Sequence, residues 1–184
     1  RSYLLGAEKQ KLMKANYESF ANEGYGLNAI VRSCVERIVV AMSSVDITAY
    51  KTDKSGKQTQ VDNHPLITLL NKPNLAQSGE SFLSDLARYY LISGNAYING
   101  TGIDAAITKP KPPKELYLLK PNCIKIIPGD KLLPQAYEYR IGSNNVITFP
   151  VNPLTGISAI KHLKTYNPAD QWTGLAPLTA AAFS

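Results

Sequence analysis

The hydrophobic pattern of this 184-residue chain changes its period at Gly94. Before Gly94, apolar side chains recur every three or four residues, which is the period of an amphipathic helix. After Gly94, short segments alternate apolar and polar residues, which is the period of a strand with one buried face. Helices followed by such strands are typical of the α+β class. We therefore predict N-terminal helices packed on an antiparallel, meander-like sheet.

The clearest predicted helix covers residues 28–43. Asn28 can cap its N-terminus, and Arg32 and Glu36 fall on its polar side. Apolar residues at helical spacing predict one face that docks on a core, and this face comprises Ile30, Val31, Cys34, Val35, Ile38, Val39 and Met42.

Two further helices are predicted before the change of period. Pro65 suits the first position of a short helix that Pro73 ends. The next helix covers residues 80–93, with Ser78 or Ser81 as its cap, and it ends at Gly94.

The predicted strands are short and are separated by Gly, Pro and Asn residues. Residues 45–61 form a β-hairpin candidate with a turn at 53–57. The other predicted strands are 96–98, 115–120, 123–127, 136–141, 145–149 and 159–164.

These elements divide the chain into three parts. Residues 1–26 are expected to be an N-terminal arm or helix, broken by glycines at 23–26, and residues 27–175 form the α+β domain. Residues 176–184 are expected to start a truncated helix, with Pro177 near its first position. The chain starts at Arg1 rather than Met, so we expect a fragment of a longer protein.

The net charge of +6 raises the alternative of a basic nucleic-acid-binding module. The excess of Lys and Arg is spread along the chain, and the densest cluster is the Pro-rich segment 109–114. Basic residues spread in this way favour solvated surface charges over a nucleic-acid-binding patch. No run of about 18 apolar residues is present, so a membrane partner is not expected.

Cysteine and histidine spacing argues against a metal site. Cys34 and Cys123 belong to no Cys-x-x-Cys motif, and we predict two reduced, buried thiols that act as small hydrophobic side chains. His64 is predicted to cap or pack at a helix start, and His162 to be half-buried and hydrogen-bonded. Neither histidine has a second ligand at helical or hairpin spacing.

Known catalytic and cofactor motifs are missing from the sequence. It contains no Walker A motif, no Gly-x-Gly-x-x-Gly between a strand and a helix, and no Gly-x-Ser-x-Gly. We therefore predict no catalytic residue, no cofactor and no metal; the alternative is an enzyme fragment whose site is completed by missing residues. Trp172 is either a core residue or a subunit contact.

Several segments, in order, resemble the portal proteins of lambdoid-type tailed bacteriophages. The segments span residues 17–182, and each motif is weak alone. They are the helix and strand at 28–51, HPLITLLNKPN, SFLSDLARYYLISGNAYI, LYLLKPNCIKIIPG, AYEYRI and AIKHLKTYNPADQWTGLAPLTAAA. The chain departs from the family at Lys161 before His162 and in the loop at 109–113.

The resemblance implies the N-terminal wing of a subunit that forms a twelvefold ring at one capsid vertex. Double-stranded DNA passes non-specifically through such a ring during packaging and ejection. The implied partners are further copies, the terminase large subunit, the major capsid and scaffolding proteins, and a head-completion or tail adaptor protein. The implied location is the virion, after assembly in the bacterial cytoplasm. Because closing contacts would be missing, we predict that the isolated chain is a monomer or small oligomer without ATPase activity, and that it binds DNA weakly.

Overall fold

A computed structural model describes residues 17–106, 112–129, 132–142 and 145–179. The helices are α1 (Tyr17–Ser19), which continues into a π-helical turn (Phe20–Tyr25), α2 (Ala29–Ser43), α3 (Pro65–Asn71) and α4 (Gly79–Ser93). The strands are β1 (Tyr50–Thr52), β2 (Gln58–Gln60), β3 (Asn95–Gly100), β4 (Leu116–Leu119), β5 (Ile124–Ile127), β6 (Ala136–Ile141), β7 (Asn145–Pro150) and β8 (Ile160–Lys164). This mixture confirms the α+β class.

Local capping sets the helix boundaries much as predicted. Asn28 Oδ1 accepts from the amides of Ile30 and Val31, at 3.0 and 3.2 Å. His64 Nδ1 accepts from the Leu66 amide at 3.2 Å, which confirms the capping prediction. Helix α4 takes Ser78 rather than Ser81 as its cap, because Ser78 Oγ accepts from the Ser81 amide. A side-chain acceptor at each start satisfies amides that have no partner within the helix.

The predicted apolar face of α2 is only partly buried. Val35 and Val39 pack against Ala87 of α4, whereas Ile30, Ile38 and Met42 are exposed. Cys34 is exposed as well, so the prediction of a buried thiol at this position was wrong. The seven predicted positions cover a wider arc than one neighbouring helix can cover, and α4 lies against only one side of it.

We predicted one meander-like sheet for the strands after Gly94. The structure instead has two three-stranded sheets with different topologies. Strands β5, β6 and β7 form a true meander, whereas β3 lies between β4 and β8. All pairs are antiparallel. Both sheets contribute to one buried cluster, whose members are Tyr97, Leu119, Tyr137, Val151 and Ile160. The return of β8 to β3 joins segments about 65 residues apart, which local periodicity does not encode.

Helices α2 and α4 do not lie side by side on the sheet formed by β4, β3 and β8. They form successive layers on it. Helix α4 contacts β3 and β4, while α2 packs against α4. Buried Phe82 and Leu86 lie on α4, and a separate cluster joins Phe20, Ile92 and Ala176. Helix α4 is therefore the central element that connects the outer helix to the sheet.

Three predicted segments differ in detail from the structure. The glycines at 23–26 do not break the N-terminal helix at residue 23, because Phe20–Tyr25 continues it as a π-helical turn. The hairpin is shorter than predicted, since residues 45–49 are not in a strand. Cys123 is half-buried and ends a 3-10 turn (Pro121–Cys123) instead of opening β5.

The predicted terminal segments lie mostly outside the described residues. Residues 1–16 of the expected arm and 180–184 of the expected last helix are not described. Leu178 and Thr179 are helical, directly after Pro177. Among the described residues, no helix is long and apolar enough to span a bilayer.

Candidate functional site: the Asn95 junction

Asn95 connects three parts of the chain that are far apart in sequence. Its Oδ1 accepts from the Gly174 amide at 2.7 Å and lies 2.9 Å from His162 Nε2. Its Nδ2 donates to the carbonyls of Ser93 and Gly174, at 2.9 and 3.2 Å. The side chain is buried, so each of these bonds satisfies a group that water does not reach. We call this network, with the backbone that it holds, the Asn95 junction.

His162 is fixed in the junction by an aromatic neighbour as well as by Asn95. It lies directly opposite Tyr97 in the β3–β8 register, and the two rings stack with centroids 4.3 Å apart. The Tyr137 ring approaches edge-on at 6.0 Å. Burial, together with the nearby Lys164 ammonium, lowers the pKa of His162 to about 4. The ring is therefore neutral at pH 7, and the prediction of a half-buried, hydrogen-bonded histidine is confirmed.

Two glycines allow the backbone segments of the junction to cross closely. Gly94 has φ = 72°, and a Cβ at this position would lie 2.5 Å from the carbonyl carbon of Leu175. A Cβ at Gly174 would collide with the Gly94 carbonyl oxygen and with Thr165. Glycine is therefore required for the left-handed conformation at residue 94 and for the close approach at both positions.

Thr165 links the end of β8 to both sides of this crossing. Its amide donates to the Gly94 carbonyl at 2.9 Å. Its hydroxyl donates to the Leu175 carbonyl at 2.6 Å. The segment that leads to the last helical turn is thereby held against the end of α4 and the start of β3.

The loop at 166–175 is organised by its own side chains. Asp170 accepts from the amides of Trp172 and Thr173, at 2.8 and 3.2 Å, and from the Thr173 hydroxyl. These bonds lower the pKa of the Asp170 carboxyl. Lys164 Nζ donates to the Gln171 carbonyl. Trp172 is half-buried within this loop.

A second polar cluster fixes α2 on α4. Arg88 forms a two-pronged contact with Glu36, with Nε and Nη2 at 2.9 and 2.8 Å from the two carboxylate oxygens. The Tyr25 hydroxyl also donates to Glu36, and Arg88 reaches Asp85 at 3.0 Å. The Arg88 bonds, followed by the Tyr25 bond, lower the pKa of Glu36 to about 2. This cluster holds one side of α2 in a fixed position.

The structure brings together some predicted site residues and separates others. His162 and the loop that carries Trp172 meet at the junction, whereas His64 lies at the α3 cap. Cys34 and Cys123 are both free thiols. Among the described residues, no three His, Cys, Asp or Glu side chains form a group that could hold a metal ion. The junction itself is a structural site that holds backbone in place.

Reasoning from sequence missed Asn95 and Gly174 as the centre of the site. Asn95 follows the helix-ending Gly94, which reads locally as a turn. Its partners His162 and Gly174 are 67 and 79 residues away. The available signal was a polar residue directly before the buried strand residues Ala96 and Tyr97.

Comparisons with known proteins agree with this architecture. The family model described as phage portal protein matches residues 29–184. An uncharacterized protein of Rickettsia bellii (strain RML369-C) is 33% identical over 160 residues, which cover 87% of this chain and 38% of that protein. The chain thus spans well under half the length of this relative.

Solved structures with the same fold come from gene transfer agent (GTA) particles. A chain in the neck of an empty GTA particle, computed with C6 symmetry, gives a TM-score of 0.77 at 25% identity. The match covers 94% of this chain and 43% of that one. A chain in the neck of a native GTA particle, computed with C12 symmetry, has the same fold, with a TM-score of 0.70 at 24% identity over 91% of this chain and 40% of that one. With the family match over most of its length, the chain belongs to the phage portal protein family.

Proposed function

We propose that this chain is part of a portal subunit, which forms a closed ring at one vertex of a virus-like particle. The family match over residues 29–184 carries the proposal. Support comes from the fold shared with chains in the necks of GTA particles, one of them computed with C12 symmetry. In this function, residues 27–175 are the wing domain, and residues 176–184 are the start of a truncated helix.

The proposed cargo is double-stranded DNA that passes through the ring. A conduit must not hold DNA tightly, because each phosphate contact with Lys or Arg strengthens binding and slows passage. The net charge of +6, spread along the chain, is compatible with this requirement. The proposed partners are other copies, a terminase, capsid and scaffolding proteins and a tail adaptor, in a particle assembled in a bacterial cytoplasm.

The Asn95 junction gives this role a mechanical basis. It ties the end of α4, the sheet and the segment before Leu178 into one unit through buried bonds. Force applied to the helix after Pro177 would therefore pass to the wing domain through a short, rigid path. We propose no catalytic step for the chain, and we propose Trp172, in the loop of the same junction, as a subunit contact.

The test is the assembly state of the full product of the gene that encodes this chain. Native mass spectrometry and negative-stain electron microscopy should show closed rings of about twelve subunits. A salt titration against duplex DNA should give a shallow slope, because few phosphates are contacted. A product that stays monomeric at all concentrations, or that binds DNA with a steep salt slope, would contradict the proposal.

A further inference from the structure

Helix α2 carries two parallel ridges of apolar side chains, and its neighbours cover only one of them. The inner ridge, Val31, Val35 and Val39, packs with Ala87 and Leu91 of α4. The outer ridge has the same four-residue spacing and consists of Ile30, Cys34, Ile38 and Met42. All four residues of the outer ridge are exposed.

The exposure of the outer ridge is large for aliphatic side chains. Ile30 is 77% exposed and Ile38 is 51% exposed, whereas Val39 on the inner ridge is 1% exposed. The apolar face of α2 is thus wider than the single stripe that an amphipathic helix turns toward its own core. Ridges at a spacing of four residues are also the surfaces that helices use to pack into one another.

Two apolar residues that follow the helix are exposed as well, and both line a cleft with Leu70 of α3 and Leu83 of α4. Val45 is 62% exposed and Ile47 is 43% exposed. Together with the outer ridge they leave on the order of 500 Å² of side-chain surface, more than half of the roughly 800 Å² that one partner contributes to a standard interface. Single exposed aliphatic residues are ordinary, but an exposed apolar area of this total equals the largest patch of a typical monomer, which is often functional.

The hairpin that follows this patch also lacks a core of its own. Every residue of β1 and β2 is exposed, so both faces of the ribbon meet solvent. Asp53 fixes its turn by accepting from the amides of Ser55 and Lys57, at 2.8 and 3.0 Å. An isolated two-stranded hairpin is marginal in water, so this ribbon would gain most from a neighbouring surface.

We propose that the outer ridge of α2, with Val45 and Ile47, docks against a second copy of this chain. The inference rests on the proposed function, because a closed ring gives every subunit a neighbour on each of two different faces. The exposed area supplies more than half of what one partner contributes to a standard interface, and aliphatic side chains do not bind phosphates. The inner ridge, the Glu36–Arg88 cluster and α4 then form the support that presents the outer ridge.

The experiment compares rings formed by the full gene product and its variants. Ile30→Asp and Ile38→Asp place a carboxylate in the proposed contact, where it would lose its water. Leu154→Asp is the matched control, since Leu154 is exposed elsewhere and the charge change is identical. We expect each ridge variant to lower the ring association constant at least tenfold, and the control to leave it within twofold.

Alkylation of Cys34 supplies a readout that does not depend on how the variants fold. A small maleimide should label Cys34 at least tenfold more slowly in wild-type rings than in subunits obtained by dissociating them, with peptide mapping to separate Cys34 from Cys123. Equal rates in both states would show an uncovered ridge and overturn the inference. Protection in the dissociated subunit as well would show that the same chain covers the ridge, which also overturns it.

The outcomes separate this inference from the proposed function. Wild-type rings that persist in both ridge variants would disprove the docking surface and leave the portal assignment standing. A wild-type product that forms no ring would disprove the portal proposal, and the docking surface with it. Rings lost in the ridge variants but retained in Leu154→Asp, with Cys34 protected only in the ring, support both.

Discussion

The Asn95 junction and the outer ridge of α2 differ in how much of their bonding and packing is completed within the chain. At the junction, every polar atom of the buried Asn95 side chain is bonded within the chain, to Ser93, His162 and Gly174. At the outer ridge, Ile30 and Ile38 remain exposed. The first region therefore fixes the fold of the chain, and the second is the surface that we propose docks on another copy. Substitutions should affect stability at the junction and association at the ridge.

The largest expected effect on stability is at Gly94, where two backbone segments of the junction approach closely. Gly94→Ala should lower the free energy of unfolding by about 4 kcal/mol, because a left-handed alanine costs roughly 1–2 kcal/mol and the new Cβ also collides with backbone at Leu175. Gly102→Ala is the control: Gly102 has φ = 79° with nothing within 4 Å, so only the conformational cost applies. Urea denaturation measures both. Equal losses would mean that the close approach at the junction does not matter.

Replacing Asn95, the central residue of the junction, should have the next largest effect on stability. Asn95→Leu leaves the Gly174 amide and the His162 ring without their partner in a buried site, which should cost about 3 kcal/mol of stability. Asn63→Leu, at an exposed position, should change stability by less than about 0.5 kcal/mol. Thermal unfolding followed by circular dichroism distinguishes them. A loss of stability at residue 95 no greater than at residue 63 would refute the claim that the Asn95 hydrogen bonds stabilise the fold.

The third prediction concerns pH. Because the folded-state pKa of His162 is about 4, below the ordinary 6.5, the unfolded state binds more protons between these values. Stability from His162 should therefore be complete above about pH 6.5 and fall as the pH drops toward 4, by roughly 3 kcal/mol. Glu36, whose pKa is lowered from 4.5 to about 2, loses its contribution as the pH falls between these two values.

The measurement is the free energy of unfolding between pH 4.5 and 7. His162→Gln should flatten the profile in this range, because glutamine does not titrate. A wild-type profile that is already flat, or an unchanged slope in the variant, would show that burial of His162 does not control acid stability.

The smallest expected effect is at the outer ridge in the unassembled chain. Val39→Ala on the inner ridge should cost about 2 kcal/mol, because it opens a cavity beside Ala87. Ile30→Ala on the outer ridge should change stability by less than about 0.5 kcal/mol. Urea denaturation of the isolated chain at micromolar concentration measures both. Similar losses at the two positions would mean that the outer ridge is already covered within the chain.

Features that depend on neighbouring residues could be predicted from the sequence. Asn28, His64 and Gly94 set helix boundaries through bonds or dihedral angles within a few residues. Helical periodicity also placed both ridges of α2 on one broad apolar face. Periodicity could not show which ridge is buried. Cys34 and Val35 are neighbours on the same apolar face, and Val35 is the one that packs against α4.

Features that depend on distant contacts could not be predicted in the same way. The pairing of β8 with β3 and the split into two sheets follow from long-range register, which short alternating segments do not specify. The segment 45–49 alternates like a strand, yet its residues are not in a strand, although the Ala49 carbonyl accepts from the Val61 amide at 2.8 Å. Asn95 was missed for the same reason, since its role appears only when His162 and Gly174 come together.

The most direct test of the central claim is an electron cryomicroscopy structure of the ring formed by the full gene product. Ile30 and Ile38 should lie within about 4.5 Å of a neighbouring subunit, which is contact distance for apolar side chains. Asn95, His162 and Gly174 should remain bonded inside one subunit. A ring in which the outer ridge faces solvent, or is covered by its own subunit, would contradict the account.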